Sequence, residues 1–229
     1  MYVNIGGGTF KHEEWVNYDA LTGFDLTPET RFPIESTPVV YSSHCLEHLP
    51  DATVHRVLKE ARRMLAPGGI FVLKLPDFEK VLDRYRAGDD AFFKQWGMDK
   101  LAPSWPAQGV EDTIAARAAM IFCGVWEPAY GDKDAEFTKK IGAGYHGPVP
   151  MTDETYRTIL AWPRINDIPR AFAACKPEGW HFNHQNAWSH EEIRWLLKAY
   201  GFRIMETAPV GWMPGIDGQR DISMYVYAQ

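Results

Sequence analysis

Residues 39–77 limit the fold more than any other stretch: VVYSSHCLEHLPDATVHRVLKEARRMLAPGGIFVLKLPD. An apolar run, Val39-Val40-Tyr41, stops abruptly at Ser42-Ser43-His44. Apolar residues then recur at Val54, Val57, Leu58, Ala61, Met64 and Leu65, the 3.6-residue period of a helix lying on a sheet. Pro67-Gly68-Gly69 ends that helix. Residues 70–75 are almost continuously apolar, as expected for a strand covered on both faces. This is a βαβ unit, and its crossover should be right-handed. In open α/β sheets a ligand sits outside the carboxyl ends of the strands. Those ends fall at Gly6-Gly7-Gly8, Asp19, residues 42–48 and Pro76-Asp77.

The rest of the chain extends the same pattern. Residues 2–5 read as the first strand and the glycine triplet as the turn after it. Residues 15–18 read as the second strand, ending at Asp19. Only about ten residues separate the two strand ends, against roughly 20 in a dinucleotide fingerprint. The first crossover helix must therefore be short or missing. With no GxGxxG present, a nicotinamide enzyme is disfavoured. A helix with Phe78, Val81, Leu82 and Tyr85 on one face follows the unit, and residues 88–180 form an insertion with helical patterns at 91–96, 112–125 and 152–162. Its aromatic-rich, Pro/Gly-rich loops suit a lid or an oligomer contact, which allows a homodimer. Trp126, Tyr145, His146 and Trp162 are candidate substrate contacts there. Ser189 and Glu192 make a capping box, Ile193, Leu196, Leu197 and Tyr200 a buried helix face, and Gly201 a helix stop. Residues 203–208 and 222–228 read as the last two strands. The expectation is one α/β domain spanning 1–229, with the helical insertion within it.

Composition narrows the function. A net charge of −6 argues against sequence-independent nucleic-acid binding, which needs basic patches to displace counterions. The three cysteines, Cys45, Cys123 and Cys175, lie far apart and form no CxxC pair. A reduced, cytoplasmic protein is the simplest reading. Strand material begins at Tyr2, so no signal peptide is expected, and no apolar stretch approaches the ~18 residues of a membrane span.

The motifs carry a resemblance. Asn4-Ile5-Gly6-Gly7-Gly8, Trp15-Val16-Asn17-Tyr18-Asp19, Ser43-His44-Cys45-Leu46-Glu47-His48 and Pro67-Gly68-Gly69 together resemble the short branch of the class I S-adenosylmethionine (SAM)-dependent methyltransferases. The likeness covers residues 2–77, resumes around 184–227, and is absent between roughly 84 and 180. It implies a Rossmann-like, seven-stranded, mostly parallel sheet with an antiparallel edge strand. It also implies SAM as cofactor, held by Asn4, Gly6, Gly7, Gly8, Asp19, Asp25, Leu26, Ser42 and Ser43. Asp19 would accept from the ribose hydroxyls, because a carboxylate offers acceptors and no donors. Asp25 and Leu26 would lie along the adenine. Two residues depart from the wider family: Asn4 stands where many relatives are acidic, and Phe10 where a third glycine falls.

By the same layout, the methyl donor and acceptor meet at residues 42–48. His44 is the first candidate for a general base, with Glu47 or His48 orienting it or the substrate. His184 matches a histidine common in the branch and is the second. The implied activity is methyl transfer to oxygen or nitrogen of a small molecule, sugar-like or another metabolite. The alternative is a SAM-binding partner domain without turnover. The string His44-Cys45-Leu46-Glu47-His48 also has the spacing of an inverted zinc-peptidase motif, which needs a helix, whereas these residues follow a strand and precede Pro50. No metal ligands are assigned. A divalent ion at His44, Glu47 and His48 is the alternative, since some related O-methyltransferases use a metal near this turn.

Overall fold

The computed structural model describes residues 1–8, 11–19, 26–27, 29, 31–94, 105–106, 109–124, 148–176, 184–205 and 223–229. The chain divides into two compact units, Met1–Asp77 with Trp188–Gln229, and Phe78–Ala187.

The first unit is built on a sheet of β1 (Tyr2–Ile5), β2 (Trp15–Tyr18), β3 (Thr37–Ser43), β4 (Leu65–Pro76), β5 (Ile204–Met205) and β6 (Ser223–Ala228). These six strands, all among the described residues, are ordered β2-β1-β3-β4-β6-β5. The first four in that order are mutually parallel, and β6 runs antiparallel to both β4 and β5. The Rossmann-like, mostly parallel sheet is thus observed, with its antiparallel strand one place in from the edge. The βαβ unit forms as its periodicity requires, with α1 (Asp51–Met64) crossing from β3 to β4. Pro67-Gly68-Gly69 lies inside an irregular start of β4. Leu65 already pairs with Thr37 there, and the register shifts before Val39 meets Ile70.

Side chains alternate across the pleat, and one face carries the core. Val3, Ile5, Val40, Phe71, Leu73, Leu75 and Val226 from the strands join Val57, Leu58 and Ala61 of α1 and Ile193 and Leu197 of α7 (His190–Ala199). Each large aliphatic side chain removed from water contributes about 1.5–3 kcal/mol, so this face holds α1 and α7 to the sheet. Ser189 caps α7 through the expected capping box. Its hydroxyl accepts from Glu192 N at 3.1 Å, and its own N–H donates to the Glu192 carboxylate at 2.8 Å.

The second unit is helical: α2 (Phe78–Arg86), α3 (Asp90–Phe93), α4 (Ile114–Cys123), α5 (Asp153–Leu160) and α6 (Asp167–Cys175). Every residue of α4 from Ala115 to Cys123 is buried, as suits a central helix rich in small side chains. Thr113 and Thr152 cap α4 and α5. The sequence reading placed no helix at α6. Its Pro169 sits in the first turn, where a missing N–H costs no intrahelical bond. No helix among the described residues is long and apolar enough to cross a membrane.

Candidate functional site

The glycine turn is held from the end of β2. Asn4 faces Asn17 in the β1–β2 register. Gly6 N donates to Tyr18 O at 2.8 Å, Gly8 N to Asp19 Oδ2 at 2.9 Å, and Asn17 Nδ2 to Gly8 O at 2.6 Å. The described part of the β1–β2 connection, residues 11–14, makes a turn and no helix, as the short spacing requires. Gly6 has φ +75, and a Cβ there would run into the Cys45 side chain; a Cβ on Gly7 would run into Asn4 and Asn17. Glycine is therefore required by packing as well as by backbone conformation. Asn4 is buried, and its Oδ1 has no hydrogen-bond partner among the described residues. A buried acceptor of this kind calls for a donor, and it lies beside the turn expected to approach a cofactor.

Ser42 is fully buried, and its hydroxyl donates to Ile5 O at 3.0 Å, tying the end of β3 to β1. Ser43 is half-buried at the same strand end, and Leu26 packs at the margin of the core. Asp25, Phe10, Trp126, Tyr145 and His146 lie outside the described residues.

His44 is the first residue beyond β3. Its backbone N donates to Lys74 O at 3.0 Å, and its φ is +48. It is the one non-glycine residue with positive φ among those described. This conformation costs roughly 1–2 kcal/mol in an L-residue, and such strain concentrates at functional positions. The ring is held at both nitrogens. Nδ1 lies 3.2 Å from Glu47 Oε1, and Nε2 lies 3.1 Å from Ser223 Oγ. Glu47 is fully buried on a single 3-10 turn, Leu46–His48, which brings its carboxylate back under the ring three residues before it. His48 Nε2 is 4.0 Å from the same oxygen. The inverted zinc-peptidase string therefore sits on a strand end and one 3-10 turn, not on an α-helix.

Cys45 lies between these groups. Burial, with the Glu47 and Asp19 charges, pushes its thiol well above the ordinary range, so it stays neutral and is no nucleophile. Asp77, at the end of β4, pairs with His190 of α7 at 3.2 Å. Among the groups on these strand ends, sequence reasoning missed Ser223. No local pattern marks it, because only the β4–β6 register sets it opposite Pro76.

His184 belongs to the second unit. It is buried, its backbone N–H donates to Cys123 O at 3.1 Å, and its ring meets Phe78 edge-on. Trp162 is exposed in the same unit.

Comparison with known proteins bears on the first unit. A solved chain described as "DhpI-SAM-HEP complex" is similar at 13% identity and a TM-score of 0.42, the alignment covering 100% of this chain and 77% of that one. Comparison with curated proteins finds no match. Residues 6–73 match the family described as "Methyltransferase domain". The matched stretch holds the glycine turn, Asp19, Ser42, Ser43, His44 and Glu47. Over residues 6–73, under a third of its length, the chain is therefore similar to the methyltransferase domain family.

Proposed function

We propose that the protein transfers a methyl group from SAM to an oxygen or nitrogen of a small-molecule acceptor, sugar-like or another metabolite, with His44 as general base. One observation supports this above the others. At the end of β3, inside the methyltransferase match, an imidazole in a strained backbone position is held on a fully buried carboxylate.

The residues present fit the cofactor. The glycine turn is packed too tightly against Cys45, Asn4 and Asn17 to carry side chains at Gly6 and Gly7, which leaves bare backbone at the strand end, and Asn4 offers a buried acceptor beside it. In this reading Gly6, Gly7, Gly8, Asn4, Asp19, Asp25, Leu26, Ser42 and Ser43 hold it. SAM, when bound, supplies a methyl group already activated by the sulfonium. What remains for the protein is to orient the acceptor, exclude water and take a proton. A carboxylate only accepts hydrogen bonds. Glu47, 3.2 Å from Nδ1, therefore favours the His44 proton there, which leaves Nε2 to take a proton from the acceptor. His184 is assigned as a second acid–base group.

Calorimetric titration of the purified chain with SAM and S-adenosylhomocysteine tests the reading. Micromolar binding is expected, followed by methylation in an acceptor screen with labelled SAM. Binding without turnover on any acceptor would instead favour a non-catalytic partner domain. Absence of binding would overturn the cofactor assignment.

A further inference from the structure

We infer that Ser223 is a positioning residue for His44, holding the ring so that Nε2 faces the acceptor; this rests on the methyl-transfer reading above. Glu47 Oε1 lies 3.2 Å from Nδ1, and an ionised carboxylate can only accept, so this neighbour favours the neutral tautomer with the proton on Nδ1 and the lone pair on Nε2. The group at Nε2 is the Ser223 hydroxyl, 3.1 Å away. A hydroxyl can donate to a lone pair or accept from an N–H by rotating about its C–O bond. Ser223 therefore suits both states of the ring: it donates to the neutral imidazole and accepts from the imidazolium.

The fold makes this contact a fixed one. β6 runs antiparallel to β4, so its first residue lies at the carboxyl ends of the parallel strands, opposite Pro76. The His44 backbone is bonded to Lys74 of the same β4. Ring and serine are thus set by one strand from its two sides. A residue at φ +48 is kept there only where its surroundings over-determine it, and here the backbone bond to Lys74, the Ser223 bond at Nε2 and the Glu47 carboxylate beside Nδ1 do so.

In the transfer, the acceptor group enters at Nε2 in place of the serine hydroxyl. Its O–H or N–H bond breaks, and the proton forms the Nε2–H bond. The electron pair stays on the acceptor atom and would form the new bond to the methyl carbon as the methyl–sulfur bond of the donor breaks. That bond's pair returns to the sulfonium sulfur, which would leave as a neutral thioether. The cation left on His44 faces Glu47, and its Nε2–H then donates to Ser223 Oγ.

Long-range 1H–15N NMR of the full chain at about pH 8, where an ordinary imidazole is neutral, reads the ring directly, with the His44→Gln spectrum giving the assignment. The expected tautomer has the proton on Nδ1. In Ser223→Ala the Nε2 resonance should move downfield, as it loses a donor, and Ser223→Thr should restore it. An Nε2–H tautomer in the wild type, or an Nε2 resonance unmoved by Ser223→Ala, overturns the inference. Calorimetry with SAM on the wild type separates the two levels. Failure of the NMR result with SAM binding intact removes the role of Ser223 alone, whereas absence of SAM binding removes the methyl-transfer reading and this inference with it.

Discussion

The Asp19 carboxylate accepts the Gly8 N–H at 2.9 Å, so the end of β2 fixes the turn that follows β1. The residue assigned to the ribose also holds the glycine turn. Asp19→Ala should therefore weaken SAM binding on the order of 10- to 100-fold, the loss of one charge-assisted hydrogen bond. Asp19→Asn keeps an acceptor oxygen and should lose less. Calorimetric titration of the three proteins decides it, and equal affinities for wild type and Asp19→Ala would count against the cofactor site.

His44→Ala should leave SAM binding within a few-fold and lower methyl transfer by roughly 10²–10⁴, the range for losing a positioned general base. His44→Gly separates catalysis from strain. Both variants lose the same side-chain bonds, but glycine tolerates φ +48, so His44→Gly should be about 1 kcal/mol more stable than His44→Ala. In calorimetric melts this is a difference of about 2–4 °C in Tm. An alanine variant as stable as the glycine variant would show that this backbone position carries no strain.

Glu60 of α1 is a structural clamp. Its buried carboxylate accepts from Phe32 N at 3.3 Å and from Arg63 at 2.9 and 3.0 Å, while Arg63 also donates to Phe32 O. Burial opposes its charge, but the Arg63 hydrogen bonds and charge, with help from Phe32 N–H and Arg56, hold the carboxyl below its usual range. A depressed folded-state value means the stabilisation is present above the unfolded value, about 4.3, and is lost as pH falls through the folded one. Glu60→Gln should cost about 1–3 kcal/mol at neutral pH. The gap from wild type should narrow on acidification below about pH 4.3. Urea unfolding at several pH values measures this, and a gap independent of pH would refute the clamp's electrostatic character.

The cysteines should differ in reactivity. Burial drives Cys45 up, and drives Cys123 up to about 12, whereas Cys175 is exposed. Iodoacetamide at about pH 8, near an ordinary thiol's range, should label Cys175 in the folded protein and spare the other two until denaturant is added. Peptide mass spectrometry reads the sites. Rapid native labelling of Cys45 would mean that the packing of Gly6 against it is wrong.

The sequence by itself determined the parts that rest on local periodicity and end chemistry. The βαβ unit from β3 to β4, the glycine turn, the strand end at Asp19 and the capping box at Ser189 are all encoded within a few residues of where they act. The closeness of His44 and Glu47 was legible for the same reason, since they stand three residues apart. Helix α6 was not, because Pro169 in its first turn looks like a breaker until the helix start is known. Tertiary structure alone decided the partners at long range. Glu60 reaches Phe32 across 28 residues, and His44 reaches Ser223 across 179. The physical reason is that β-strand register is set by pairing with a distant strand, and a shift of one residue turns every side chain to the other face. Which serine meets the imidazole is therefore a property of the β4–β6 ladder and not of any window of the sequence.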